Sequence, residues 1–261
     1  MNVPADPLTR WRDLVLSARS ERYRPDRDLA FWQAKAADYD HTQPALPNTV
    51  SWLRGDLHRT WSLLDVGAGT GRLLLPLVGA VAQATALDYS PDMLAQLRAR
   101  GAPPHLRTVC CSLEEAPDQV PVHDAVLAAW SLAYQPELRP ALETLRRLSR
   151  HALYLLEDDG VGSPHVQLRR ALAGTPKPGR ARLLREALEA LGWPVTAQAI
   201  TESRELTFTT TAEMLTFARL PLSEAQSLAA LKPYLRQEAG GWRYCWTFEI
   251  TVLRVACGAP A

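Results

Sequence analysis

The chain has 261 residues, 47% apolar and 22% charged, with a formal net charge of +1. That is enough apolar material for a sizeable core and too much for a disordered chain, and the near-neutral balance gives no overall field toward nucleic acid or membrane. The four cysteines (Cys110, Cys111, Cys245, Cys257) form neither a Cys-x-x-Cys pair nor a zinc-spaced cluster, and no apolar run reaches 18 residues. We therefore expect reduced thiols, no metal and no membrane span.

Residues 7–58 read as helical. Leu8, Trp11, Leu14 and Val15 recur at helical spacing after Pro7. Asp26 or Asp28 is placed to cap a second helix with Leu29, Trp32, Ala36 and Tyr39 on one face. A third helix starts at Asn48 with Val50, Leu53 and Leu57 inward. Trp61 to Val66 then reads as a short buried strand, followed by Gly67, Gly69 and Gly71 at alternate positions and an apolar helix over 73–78. Strand, glycine turn and helix open a βαβ unit, and glycine suits such a turn because no Cβ blocks positive φ or a ligand's approach. A second strand over 82–87 ends in Asp88, which lies 17 residues past Gly71. A carboxylate at that tip can accept both hydroxyls of a ribose, so the pattern points to an adenosine-containing ligand.

A dinucleotide fingerprint would carry its third glycine at position 72, which is Arg72 here. Instead an acid, Asp65, precedes the first glycine by two residues. Asp65-Val66-Gly67-Ala68-Gly69-Thr70-Gly71 resembles the first motif of the class I S-adenosylmethionine-dependent methyltransferases. Ala86-Leu87-Asp88-Tyr89-Ser90-Pro91-Asp92-Met93-Leu94 is similar to that family's second-strand acid and succeeding helix. The resemblance implies an α/β fold: a seven-stranded, mostly parallel sheet with helices on both faces, the last strand antiparallel, and extra N-terminal helices. It divides the chain into a helical flank or cap (1–58) and a cofactor-binding domain (59–261) with a helical insertion at about 161–191. It implies S-adenosylmethionine as cofactor, held by Asp65, Gly67, Ala68, Gly69, Gly71, Asp88, Tyr89 and Met93.

The alternation continues. Residues 91–100 read as a helix, 105–110 as a strand, 124–130 as a strand, 136–149 as a helix and 152–156 as a strand. Cys111 stands where the family often has an acid near the adenine, so Ser112, Leu113 and backbone groups are expected to serve there. At the end of the fourth strand, Ala129 and Trp130 are placed against the cofactor, with Trp130 and Ser131 toward the acceptor. Ala128-Ala129-Trp130-Ser131-Leu132 carries neither the Pro-Pro-Tyr motif of nucleic-acid amino methylases nor a Pro-Cys nucleophile. In the N-terminal flank, Trp32 and Tyr39-Asp40 resemble a family segment that covers the cofactor. Trp32 is expected to pack into the core and Tyr39 to reach the substrate. Beyond 160 we expect two helices broken at 174–179, a strand over 194–208, helices over 211–219 and 223–236, and a final strand over 244–255. In that strand Trp246, Phe248, Ile250, Val252 and Arg254 share a face.

Methyl transfer from a sulfonium requires alignment and exclusion of water more than a conspicuous catalytic side chain. No catalytic residue is therefore assigned. The expected function is methyl transfer to a small-molecule acceptor by a cytoplasmic enzyme. The rivals are an RNA or protein methyltransferase, a non-catalytic S-adenosylmethionine-binding protein and, behind these, an NAD-dependent oxidoreductase. The basic run Arg169, Arg170, Lys177, Arg180, Arg182 and Arg185 is read first as a solvated helix face and second as an anion or RNA contact. No aromatic-rich nucleic-acid motif accompanies it. Oligomeric state is not legible.

Overall fold

A computed structural model describes residues 6–22, 25–36, 39, 43, 45–159, 162–174 and 179–258. The first elements of the described residues are the helices α1 (Pro7–Arg22), α2 (Pro25–Ala36) and α3 (Pro47–Asp56). Each begins at a proline, whose fixed φ and missing N–H suit the first helical position. Helix α2 already includes Asp26 and Asp28, so neither precedes it as a cap. In α1, Trp11 and Val15 are buried, with Leu8 and Leu14 half-buried beside them. Two contacts fix this helix. The indole Nε1 of Trp11 donates to the Gln135 carbonyl at 2.8 Å, and Arg10 pairs with Glu186 at 2.7 Å.

Strands and helices then alternate as β1 (Ser62–Val66), α4 (Leu74–Leu77), β2 (Gln83–Asp88), α5 (Pro91–Ala99), β3 (Leu106–Cys110), α6 (Ala116–Gln119), β4 (His123–Ala129), α7 (Leu138–Arg147) and β5 (Ser149–Glu157). After α8 (Pro164–Leu172) and α9 (Arg180–Ala190) come β6 (Val195–Phe208), α10 (Thr211–Ala218), α11 (Glu224–Leu231), β7 (Leu235–Glu238) and β8 (Gly241–Ala256). The break between α8 and α9, including Lys177, lies outside the described residues.

The sheet order is β3-β2-β1-β4-β5-β8-β6, parallel through β5, with β8 antiparallel to both β5 and β6. Seven strands, mostly parallel with the last antiparallel, are as expected, and the order is fixed by the structure. A short eighth strand, β7, pairs antiparallel with the start of β8. It arises where one helix was expected over 223–236. Ser223 caps α11 with a reciprocal bond to Gln226, but Pro233 cannot continue the helix. The chain tightens to a 3-10 turn at Lys232–Tyr234, and Leu235–Glu238 folds back on Gly241–Tyr244.

Side chains of the central strands alternate between two apolar layers. Leu64, Val66, Val126, Ala128, Leu153 and Leu155 face α1, α7 and α9. Leu63, Ala84, Leu127 and Leu156 face α3, α4 and α5. Helix α7 is amphipathic as its spacing predicts, with Leu138, Leu142 and Leu145, and Leu148 just past its end, all buried. A third cluster forms where the long antiparallel β6–β8 pair outruns the sheet. There Phe208, Met214, Leu231, Tyr244 and Trp246 pack together under α10 and α11. No helix of the described residues is long and apolar enough to cross a membrane.

Candidate functional site

In an open α/β sheet, ligands bind where the strand order reverses, outside the carboxyl ends of the strands. Here that point lies between β1 and β4. At the end of β1 the N–H groups of Gly67 and Ala68 both donate to the Leu87 carbonyl, at 2.8 and 3.0 Å, so the turn is tied to β2. Gly67, Gly69 and Gly71 all have positive φ, at 76°, 55° and 77°. Their surroundings differ. A Cβ at Gly67 would stand 2.5 Å from the Cβ of Ser131, and one at Gly71 would stand 2.9–3.0 Å from Leu75 and Leu97. A Cβ at Gly69 would meet nothing within 4 Å. So Gly67 admits the end of β4 and Gly71 admits helix packing. Gly69 leaves an open cradle.

Asp88 ends β2 with its carboxylate 6% exposed. One oxygen accepts the Gly69 N–H at 2.8 Å and the other the Ser90 N–H at 2.9 Å. The carboxylate therefore shapes the glycine turn as well as facing the cavity. Burial raises its pKa despite these two bonds. Asp65, also buried, is pushed up to about 8, first by burial and then by the Asp88 charge, with Arg72 opposing. These are desolvation effects sharpened by a like-charged neighbour.

A cavity of about 450 Å³ opens over the turn. Its lower part is lined by Gly67, Gly69, Asp88, Tyr89, Met93 and Leu113, with Cys111 beside them. Its upper part is aromatic. Trp130 and Ser131 come from the end of β4, and Tyr39 and Tyr134 each make a T-shaped contact with Trp32, with centroids 5.9 and 5.6 Å from its ring. Trp246 and Phe248 reach in from β8 and Arg204 from β6. Trp130 has φ 56°, a left-handed conformation that only a constrained non-glycine residue holds. Its N–H donates to the Leu156 carbonyl at 3.0 Å, and the Arg72 guanidinium lies 4.9 Å from its ring centroid. The Ser131 hydroxyl oxygen is buried with no hydrogen-bond partner.

Behind the upper wall sits His165. Its Nε2 is 3.1 Å from the Ser163 hydroxyl, and its Nδ1 is 3.1 Å from the Tyr244 hydroxyl. Burial first, then the charges of Arg169 and Arg204, hold its pKa down to about 4, so the imidazole is neutral at physiological pH.

Residues 63–152, spanning β1 to the start of β5, match the family model described as a methyltransferase domain. The match covers about a third of the chain and falls on the parallel half of the sheet. An uncharacterised methyltransferase of Mycobacterium tuberculosis is 35% identical over 126 residues, 48% of this chain and 50% of its own length. The chain thus spans about half the length of the curated relatives it matches. Among solved structures, DhpI in complex with SAH covers 90% of this chain and 97% of its own, with a TM-score of 0.54 and 20% identity. The YcgJ protein of Bacillus subtilis covers 82% and 100%, with a TM-score of 0.52 and 12% identity. Likeness at these identities is likeness of fold.

Of the residues singled out from the sequence, Gly67, Gly69, Asp88, Tyr89, Met93, Leu113, Ala129, Trp130 and Ser131 line the cavity, and Tyr39 joins them from the N-terminal flank. Four anticipated residues do not line it. Asp65 is buried beneath the turn, Ala68 is buried, and Gly71 faces Leu75 and Leu97. Ser112 spends its groups locally. Its N–H donates to the Glu115 carboxylate at 2.9 Å, and its hydroxyl accepts the Glu115 N–H at 3.3 Å. Trp32 reverses the other way, lining the cavity rather than filling the core. Asp40 lies outside the described residues. In the basic run, Arg180 turns inward to the buried Glu157 at 2.9 Å, while Arg185 pairs with Glu189 at 2.8 Å and Arg182 with Glu186 at 3.9 Å. Sequence reasoning missed Arg72, Arg204 and Tyr134. The alternation of β8, paired in register with β6, was the available signal for Arg204.

Proposed function

We propose that the protein is an S-adenosylmethionine-dependent methyltransferase whose acceptor is a small molecule. The observation that carries this is the open cradle at Gly69, adjoining the Asp88 carboxylate in the same cavity. The donor set fits the cofactor. A carboxylate at the tip of β2 suits ribose hydroxyls, a glycine turn admits close approach, and Met93, Leu113 and Tyr89 offer apolar and aromatic surface for a base. When bound, S-adenosylmethionine supplies a methyl group on a sulfonium, already activated for displacement. DhpI, which shares the fold, was solved with SAH.

The chain's own residues then orient and enclose. The aromatic upper wall excludes water and presents flat faces to an acceptor. The unpaired Ser131 hydroxyl offers a hydrogen bond beside the turn, and Tyr39 lines the same cavity. We assign the N-terminal flank the part of a cap, since Trp32 and Tyr39 line the cavity from it. The acceptor is read as a small molecule because the cavity is concave and its lining combines aromatic and apolar faces with a set of convergent polar groups. Of the basic run, Arg180 is drawn inward to the buried Glu157, which takes one charge off the surface.

The test is binding. S-adenosylhomocysteine should raise the melting temperature and titrate to one site, because a ligand of the native state stabilises by mass action. NADH should do neither. A shift with NADH and none with S-adenosylhomocysteine or S-adenosylmethionine overturns the proposal.

A further inference from the structure

Arg204 projects into the upper part of the cavity from β6, half-buried. Its cross-strand partner in the register is Trp246 of β8, and its guanidinium lies 5.5 Å from that ring's centroid. The ring holds the fork in place by cation–π attraction. Among the described residues no carboxylate and no hydrogen-bond acceptor meets it. The acid two positions back on the same strand is committed elsewhere. Both oxygens of Glu202 accept backbone N–H groups at the start of α3, from Thr49 at 2.6 Å and Asn48 at 3.4 Å. Glu205 belongs to the other face, where it pairs with Arg243. The charge that does act on Arg204 is another cation, Arg72, and burial and that charge both lower its pKa. A half-buried guanidinium with five donors, facing a cavity and repelled by its cationic neighbour, is incomplete as it stands.

We propose that Arg204 is the anion-recognising residue of the acceptor site, and that the acceptor is a small planar molecule bearing a carboxylate or phosphoryl group. Resting on the methyltransferase reading above, this names the acceptor's class. The guanidinium fork matches an oxyanion in two parallel hydrogen bonds, the geometry for which arginine is suited and lysine is not. The flat body of the acceptor lies among Trp130, Trp246 and Phe248, which line the cavity around the fork. Asp88 does not compete, since its oxygens are bonded to the Gly69 and Ser90 N–H groups and the charge acting on Arg204 is that of Arg72.

The experiment uses the full chain saturated with S-adenosylhomocysteine and three probes: 4-hydroxybenzoate, phenyl phosphate and the neutral 4-hydroxybenzamide. Affinities are read by calorimetry for the wild type, Arg204→Gln and Arg204→Lys. At least one of the two anions should bind the wild type ten- to hundredfold more tightly than the amide. Whichever anion does so identifies the group recognised. Arg204→Gln should abolish that preference, Arg204→Lys should restore it only in part, and the affinity for S-adenosylhomocysteine should stay within about twofold in both. Equal affinity for acids and amide in the wild type overturns the proposal, as does a preference that survives Arg204→Gln. Loss of S-adenosylhomocysteine binding in Arg204→Gln also overturns it, placing the residue with the cofactor. Failure of S-adenosylhomocysteine to bind the wild type is a separate result that removes the methyltransferase reading itself.

Discussion

Three alanine substitutions in one turn separate ligand approach from packing. All three glycines have positive φ, so each Gly→Ala change carries a left-handed backbone cost of about 1–2 kcal/mol. A gain of about 0.4–1 kcal/mol from the stiffer unfolded chain partly offsets it. At Gly69 nothing else is added, because the new Cβ meets no atom within 4 Å. The net loss should be about 1 kcal/mol, a fall of about 2–4 °C in melting temperature for a chain of this size. At Gly71 the Cβ presses on Leu75 and Leu97 at 2.9–3.0 Å, adding an overpacking cost of about 1–3 kcal/mol. At Gly67 the neighbour is the Cβ of Ser131 at 2.5 Å, which cannot yield without moving the end of β4.

Thermal or urea unfolding should therefore rank the variants Gly69→Ala most stable, with Gly67→Ala and Gly71→Ala well below it. Affinity for S-adenosylhomocysteine should rank the other way in proportion to stability. Gly69→Ala should lose roughly ten- to hundredfold, the equivalent of about 1.4–2.7 kcal/mol, while barely disturbing the fold. Should Gly69→Ala bind S-adenosylhomocysteine as tightly as the wild type, the open space at Gly69 is not where the cofactor sits.

Other substitutions extend the reasoning. Asp88→Asn leaves one of the two N–H donors, of Gly69 or Ser90, facing an amide N–H, which should cost about 1–3 kcal/mol of stability together with cofactor affinity; an unchanged melting point and affinity would contradict the bonding drawn here. The His165 pKa of about 4 lies below its unfolded value, so between these values the unfolded chain binds more protons. Stability present at neutral pH should then fall as pH drops from about 6.5 toward 4, by roughly 3 kcal/mol from this residue, and urea unfolding of His165→Gln should show a flatter slope in that window. Asp65 has the opposite sign: with its pKa raised to about 8, the native state holds the extra proton, and stability falls as pH rises from the ordinary carboxylate range toward 8. Asp65→Asn should remove that decline in urea midpoints measured from pH 6 to 8.5. Given an acceptor, Tyr39→Phe and Trp130→Ala should slow transfer about tenfold or more while leaving cofactor affinity nearly intact, since both line the upper part of the cavity; full turnover in both would move the acceptor to another wall.

The succession of strands and helices along the chain was legible because each element from β1 to β5 carries its own signal. Apolar runs of strand length alternate with helical spacing, and glycine or proline punctuates them. The lower part of the site was legible for the same reason. Gly67, Gly69 and Asp88 are close in sequence, and the βαβ unit brings them together without long-range information. Strand β7 was not legible. Leu235-Arg236-Gln237-Glu238 shows no apolar alternation, and all but its first residue are exposed. Pro233 was the signal that the preceding helix stops. Trp32 was misplaced because helical periodicity says which face of α2 is apolar and not what that face meets. It meets a cavity whose other rim is built from Tyr134.

The upper part of the site depends on register across a long antiparallel pair. Arg204 faces Trp246, and Glu202 faces Phe248. Shifting that register by one residue would turn Arg204 out of the cavity and bring Glu205 or Ser203 in its place. Such a register is fixed by the buried alternation of Tyr244, Trp246, Ile250 and Val252 against the sheet and the α10–α11 layer, so the same apolar face that builds the third cluster aims the arginine. The glycine motif has a long-range cause of the same kind. Gly67 must lack a Cβ because Ser131 occupies its space, and Ser131 is there because Trp130 turns through a left-handed conformation at the end of β4. What reads in the sequence as one cofactor signal is thus three constraints set by three partners: the end of β4 at Gly67, the cradle at Gly69 and the α5 side chain Leu97 at Gly71. Of these only the middle one speaks directly to ligand binding, and it is the one that the alanine series isolates.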